Sequence, residues 1–307
     1  MDDLLISSKS LKSVLAVKAA LSAEFKMTDQ GEVDTILGIK IQRNREEGTL
    51  MMSQQVYADT ILKRFNMENC EGRATVMDQG VQLSRTLTPA TREEQEAMDR
   101  TPYREAVGSL MYLMISTRPD LAASVQYVSR FSSNPGQQHW KAVKTIFKYL
   151  QKTKDLKLTF RKTGEVRLQG FCDSDYQSCP DTRRSTSAYV FKLGGAAVSW
   201  SSRRQKTVAL SSCEAEYMAA CEAAREAIWE STWLEELGFR EVKPVTILTD
   251  SQSALQLIVN PVFHDKTKHI QGRMHFVREQ VQARVVTFKK VETARNPADL
   301  LTKAVPA

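Results

Sequence analysis

The chain has 307 residues, 42% hydrophobic and 26% charged, with a formal net charge of +7. That balance is what a packed, soluble protein shows, so disorder is not the default; it leaves room for two domains, and the surplus suggests an anionic partner or an ordinary basic surface. No apolar run is long enough to cross a bilayer, and the opening MDDLLISSKS lacks the basic-then-apolar order of a secretion signal, so the expectation is an intracellular protein with no membrane partner.

In chain order, Asp2 and Asp3 stand before the apolar LLI. Adjacent carboxylates at the edge of an apolar strand are costly without a cation between them, so this is either a metal site or a solvated terminus. From Ser10 to Phe25, Leu11, Val14, Leu15, Val17 and Leu21 have helical spacing with Ser10 as cap. Thr35 to Gln54 reads as a hairpin turning at NREEG, and VYADTILKRFNM as a helix. Residues from about Glu71 to Thr101, with Pro89 and the run REEQEAMD, read as a linker. Helical spacing resumes over Tyr103 to Ser116, Pro119 to Phe131 and His139 to Leu150, segments separated by TRPD and SSNPG and expected to form a structural layer.

From Val166 the pattern alternates. VRLQGFCD reads as a strand ending in Asp173; TSAYVFKL and AAVSWSS read as two more joined by Gly194-Gly195, a three-stranded meander. A helix then starts at Ser212. The run VTILTD ends in Asp250, giving a crossover unit whose reactive groups gather beyond the strand ends. A helix over His269 to Gln282, the strand RVVTFKK and a short helix opened by Pro297 and carrying Asp299 complete the pattern. The five cysteines (Cys70, Cys172, Cys179, Cys213, Cys221) have neither CxxC nor Cys/His spacing, which leaves reduced packing thiols.

Acidic groups from separate segments, with few histidines or cysteines beside them, suit hard divalent ions such as Mg²⁺. Two such ions about 3.5–4 Å apart can activate a water and stabilise the departing oxygen of a phosphodiester. In the stretch LSSCEAEYMAACEAA both Glu214 and Glu216 could supply a ligand, since both lie at edges of the apolar stripe of Tyr217, Cys221, Ala224 and Ile228. The S-x-x-E spacing of Ser211 and Glu214 gives Glu214 a capping task. Arg183-Arg184 and Arg203-Arg204-Gln205-Lys206 are the basic clusters expected to meet phosphates from loops, Ser251, Gln252 and Asn296 the polar groups expected to meet sugar hydroxyls. Trp200 and Trp233 are expected in the core.

The strings STSAYVFKLGGAAVSWSSRRQKTVALSSCEAEYMA, LTDSQSA, HDKTKHIQGRMHFVREQV and NPADLLTKA closely resemble the ribonuclease H domain of copia-type retrotransposon polyproteins. MDDLLI, ILGIKI, SQQVYADTILKRFNM, VGSLMYLMISTRPDLA and NPGQQHWKAVKTIFKYL resemble the reverse transcriptase just upstream. The resemblance implies an α/β (α+β) chain: a ribonuclease H-like mixed five-stranded sheet with flanking helices over 161–307, preceded by a truncated reverse transcriptase palm end and thumb-like segment over 1–75 and a linker and helical connection over 76–160. It also implies two-metal hydrolysis of the RNA strand of an RNA–DNA hybrid with two Mg²⁺ or Mn²⁺ ions, held by Asp173, Glu216, Asp250 and Asp299. A histidine, His269 or His264, would assist release, with His275 a helix-surface residue. The same resemblance selects Glu216 over Glu214. Asp2 and Asp3 match a vestigial polymerase metal site, not expected to polymerise without the upstream aspartate, and the final helix is expected to be weakly anchored. Cys213 stands where the family often has Thr or Ser, and LLTK replaces a more usual IFTK. The implied partners are the hybrid and other retroelement polyprotein subunits, in a cytoplasmic particle or the nucleus. A second reading is a catalytically idle remnant that only binds nucleic acid or a polyprotein partner.

Overall fold

The computed structural model describes residues 3–78, 80–162, 167–239, 242–259 and 271–303. Helix α1 (Leu11–Glu24) begins where the Ser10 side chain accepts from the Ser13 amide, yet none of its residues is buried, and Leu11, Leu15 and Val17 face solvent. Asp3 is exposed on irregular chain rather than at a strand edge, and Asp2 lies outside the described residues. Strands β1 (Thr35–Ile36), β2 (Ile39–Asn44) and β3 (Thr49–Ser53) run antiparallel, with Ile41 opposite Met52. After α2 (Gln55–Arg64) the expected linker contains a helix, α3 (Arg92–Asp99). Thr91 and Glu94 close a capping box there, which stabilises a polar segment that buries only Met98.

Helices α4 (Tyr103–Ser116), α5 (Ala122–Ser129) and α6 (Gln137–Thr153) pack around Leu110, Leu113, Val125, Val128, Ile146, Phe147 and Leu150. Strand β4 (Leu158–Arg161) then returns to the first sheet beside β3, with Met51 opposite Thr159. The alternation of the sequence did not mark β4, whose partner lies about a hundred residues back.

The second sheet holds β5 (Gln169–Asp175), β6 (Thr186–Leu193), β7 (Ala196–Arg204), β8 (Val245–Thr249) and β9 (Val286–Lys290) in the order β7-β6-β5-β8-β9. Its β7-β6-β5 part is antiparallel and its β5-β8-β9 part parallel, so this is the five-stranded mixed sheet expected. The β6–β7 turn carries Gly194 and Gly195 at φ 57° and 85°, left-handed values that a two-residue hairpin turn requires. One face is covered by α7 (Ser212–Glu236), α8 (Gln252–Val259) and α9 (Gln271–Gln282). Ala220, Ala223, Ala224 and Ala227 let α7 approach closely enough to bury Cys172, Phe191 and Ile247 beneath it. The other face joins the core of the helical layer through Ala188, Val190 and Leu301. The helical layer thus covers β6 and β7 on that face, and the polar ends of β5 and β8 are where a site can open.

Candidate active site

Strand β5 carries Asp173 and, two residues on and therefore on the same face, Asp175. The parallel register places Phe171 opposite Leu248, so continuing both strands by two residues brings Asp173 level with Asp250, just past the end of β8. Helix α7 supplies the third carboxylate from its second turn. One oxygen each of Asp173, Glu216 and Asp250 lies within 4.8 Å of the others. The choice between the two glutamates is visible in the cap. The Ser211 hydroxyl accepts from the Glu214 amide (3.1 Å), and the Glu214 carboxylate accepts from the Leu210 amide (2.8 Å), one residue before the cap residue itself. Glu214 is thereby occupied at the helix start, and Glu216 points into the cluster.

Burial holds the Asp173 carboxyl up at about 6; the Thr302 hydroxyl opposes this, while the charges of Asp250 and Asp299 add to it. Burial pushes Glu216 further, to about 8, with the Asp173 charge as an added cause. Glu216 Oε2 is buried with no hydrogen-bond partner. A carboxylate oxygen left this way costs free energy unless it is protonated or meets a cation. An all-oxygen set with one unpartnered, buried oxygen fits a hard divalent ion.

Asp299 does not join that set. It sits in a short 3₁₀ turn (Pro297–Leu301), and its Oδ1 is paired with Lys303 Nζ at 2.7 Å. The turn itself is not loosely anchored, contrary to expectation. Thr302 Oγ1 donates to Asp173 Oδ2 at 2.6 Å, and Asn296 Nδ2 donates to the Cys172 carbonyl at 3.0 Å, both inside the protein. Asn296 Oδ1 also accepts from the Ala298 amide. Its amide is thus consumed in clamping the turn to β5, which corrects the expectation that it meets a sugar hydroxyl. Thr302 and Lys303 had no local signal in the sequence, because their partners Asp173 and Asp299 are recognisable only once the strand order is known.

A relative from tobacco (Nicotiana tabacum), the retrovirus-related Pol polyprotein from transposon TNT 1-94, is 44% identical over 306 residues, covering 100% of this chain and 23% of its own length. The putative transposon Ty5-1 protein of Saccharomyces cerevisiae is 31% identical over 227 residues, 74% of this chain and 71% of that protein. The chain belongs to the copia-type retrotransposon Pol polyproteins. It spans about a quarter of the tobacco polyprotein's length. The family described as reverse transcriptase (RNA-dependent DNA polymerase) matches residues 1–79 of the copia-type chain. Among solved structures, LC11-RNase H1 in complex with an RNA/DNA hybrid is similar with a TM-score of 0.33 and 17% identity, over 44% of this chain and 92% of that one.

The remaining sequence-derived positions in this copia-type chain fall into place unevenly. Arg203 and Arg204 lie inside β7, opposite Ser187 and Thr186, rather than in a loop after it. Because Thr186 in turn faces Asp175, Arg204 stands two strand spacings, roughly 10 Å, from the carboxylate strand at the same end of the sheet. Arg204 Nη1 reaches Cys179 Sγ at 3.5 Å; Arg183, exposed in the β5–β6 connection, donates to Gln177; Arg184 is half-buried nearby and Lys206 is exposed. Gln205, not singled out as a contact in its own right, donates to the Ser187 hydroxyl and the Ala215 carbonyl and ties β6 to the start of α7. Ser251 accepts from the Ala254 amide as a cap for α8, and Gln252 is exposed beside it. His275 is exposed on α9; His264 and His269 lie outside the described residues. Trp233, expected in the core, is exposed and stacks parallel on Trp229 with ring centroids 6.5 Å apart, since both fall on the outer face of α7 at i, i+4 spacing. Trp200 is half-buried and donates to the Met114 carbonyl at 2.8 Å, joining β7 to α4. No helix among the described residues is long and apolar enough to cross a membrane.

Proposed function

We propose that this copia-type chain is a metal-dependent ribonuclease H that hydrolyses the RNA strand of RNA–DNA hybrids, carried behind a reverse transcriptase segment. The observation that carries the reading is the buried, partnerless Glu216 Oε2 set against Asp173 and Asp250, a site whose two raised carboxyls ionise more readily when a divalent cation arrives. Bound there, a pair of Mg²⁺ or Mn²⁺ ions supplies water activation and stabilisation of the departing oxygen.

Asp173, Glu216 and Asp250 are the residues that hold the ions, with Asp299 bordering the second position. Thr302 fixes the orientation of Asp173, and the Lys290 ammonium, bonded to the Asp250 carbonyl, steadies the end of β8. Arg183, Arg184, Arg203, Arg204 and Lys206 are the groups assigned in this proposal to backbone phosphates, and Ser251 and Gln252 at the start of α8 those assigned to sugar hydroxyls. The division into residues 1–75, 76–160 and 161–307, and residence in a cytoplasmic particle or the nucleus, belong to the same proposal.

The test is a labelled RNA–DNA hybrid incubated with the purified chain and Mg²⁺ or Mn²⁺. Wild type is expected to cut the RNA strand and Asp250→Asn to leave it intact. Intact hybrid with both chains would mean a binding protein rather than a nuclease.

A further inference from the structure

We propose that Lys303 is a tethered counter-cation of the carboxylate site, which neutralises Asp299 in the ion-free protein and must be displaced before a divalent ion can use that carboxylate. The inference rests on the metal-site reading and adds an order to it: the Asp173–Glu216–Asp250 position fills first, and the position bordered by Asp299 fills second and more weakly.

Lys303 Nζ lies 2.7 Å from Asp299 Oδ1, with the Asp299 side chain 19% and the Lys303 side chain 51% exposed. The bond to Asp299 favours the charged ammonium, and the nearby charges of Asp173 and Asp175 act in the same direction. One lysine is therefore within electrostatic reach of three carboxylates from two segments. The preceding residue, Thr302, holds Asp173 by its hydroxyl, so two consecutive side chains deliver a hydrogen bond to one carboxylate and a positive charge to another.

Charge sets the order of filling. Without ions, the carboxylates repel one another across a poorly solvated gap, and a +1 group on a flexible stem is the least costly way to relieve this. A +2 ion approaching Asp299 meets that ammonium as a like charge, and the half-exposed stem lets the head swing into solvent. The work of separating Lys303 from Asp299 is subtracted from the affinity of the second ion. Among the described residues no lysine or arginine is ion-paired with Asp173, Glu216 or Asp250, so the first ion meets no tethered cation of its own sign there.

Isothermal titration of the full chain with Mn²⁺, in the absence of nucleic acid, reads this directly. Loss of a partner that orients a ligating residue lowers ion affinity by about 10–100-fold; Lys303 carries the ion's own sign, so its loss should act with similar size in the opposite direction. Lys303→Met is therefore expected to tighten the weaker binding step by about tenfold or more and to leave the tighter step near its wild-type value. Lys303→Arg keeps the charge and should behave as wild type. Lys63→Met, which removes one charge from the exposed side of α2, should do the same and controls for net charge. A wild type that takes one ion where Lys303→Met takes two supports the proposal equally. An unchanged or weakened second step in Lys303→Met overturns it while leaving the metal site standing. Absence of any binding that Asp250→Asn removes would overturn the site reading itself.

Discussion

Glu216 is the residue whose surroundings ask most of it, because its carboxyl is held at about 8 in the folded chain against an ordinary 4.5. A raised carboxyl stabilises the fold through the proton it keeps. That contribution is complete below about pH 4.5 and disappears as pH rises through 8. In ion-free buffer the melting temperature of wild type minus that of Glu216→Gln should therefore fall steadily between pH 5 and 9; a flat difference would show that Glu216 does not titrate late. Saturating Mg²⁺ or Mn²⁺ should restore the stability lost at the alkaline end, since the ion replaces the proton. Thr302→Val offers a complementary check at Asp173. Hydrogen bonds to charged groups contribute about 1.5–3 kcal/mol, so urea unfolding should show a loss of that order. Because the lost hydroxyl bond lowered the Asp173 carboxyl, Mn²⁺ binding should also move to higher pH.

At the scale of elements, α7 carries a cap and a ligand two positions apart, and the two can be separated by experiment. Glu214→Ala removes the acceptor of the Leu210 amide and is expected to cost about 1 kcal/mol of stability, with cleavage of hybrid retained. Glu216→Gln is expected to abolish cleavage, and the opposite pairing of results would reverse the assignment. Much of this was readable in the sequence because capping, alternation and turn chemistry are local: Ser10, Ser211, the Gly194-Gly195 turn and the ends of α4 lie where the pattern put them. Other features answer to distant partners and were not readable. β4 is four residues long and, among the described residues, its strand partner is β3. The run Arg92–Asp99 is helical although almost nothing in it is buried, so hydrophobic spacing had nothing to report. Asn296 looked like a ligand-facing amide because its neighbours are functional in kind, and it turned inward because a backbone carbonyl of β5 was there to accept a hydrogen bond from it.

For the molecule as a whole, the second sheet is a shared wall, covered by α7–α9 on one side and, over β6 and β7, by the α4–α6 layer on the other. A fragment limited to 161–307 would expose Ala188, Val190 and the ring of Trp200, and is expected to aggregate or to melt below the full chain; a fragment as soluble and stable as the parent would show that the layer is dispensable. Binding of hybrid should weaken with salt, and Arg203→Ala should reduce the slope of log affinity against log salt by about 1 if that side chain meets one phosphate. The clamp between Thr302 and Asp173 spans 129 residues. At synthesis rates of about 5–20 residues per second, the ribosome needs roughly 6–26 s to travel from the aspartate to the threonine that orients it. During that interval a nascent chain already contains Asp173, and then Glu216 and Asp250, while Asp173 still lacks the hydroxyl that aligns it.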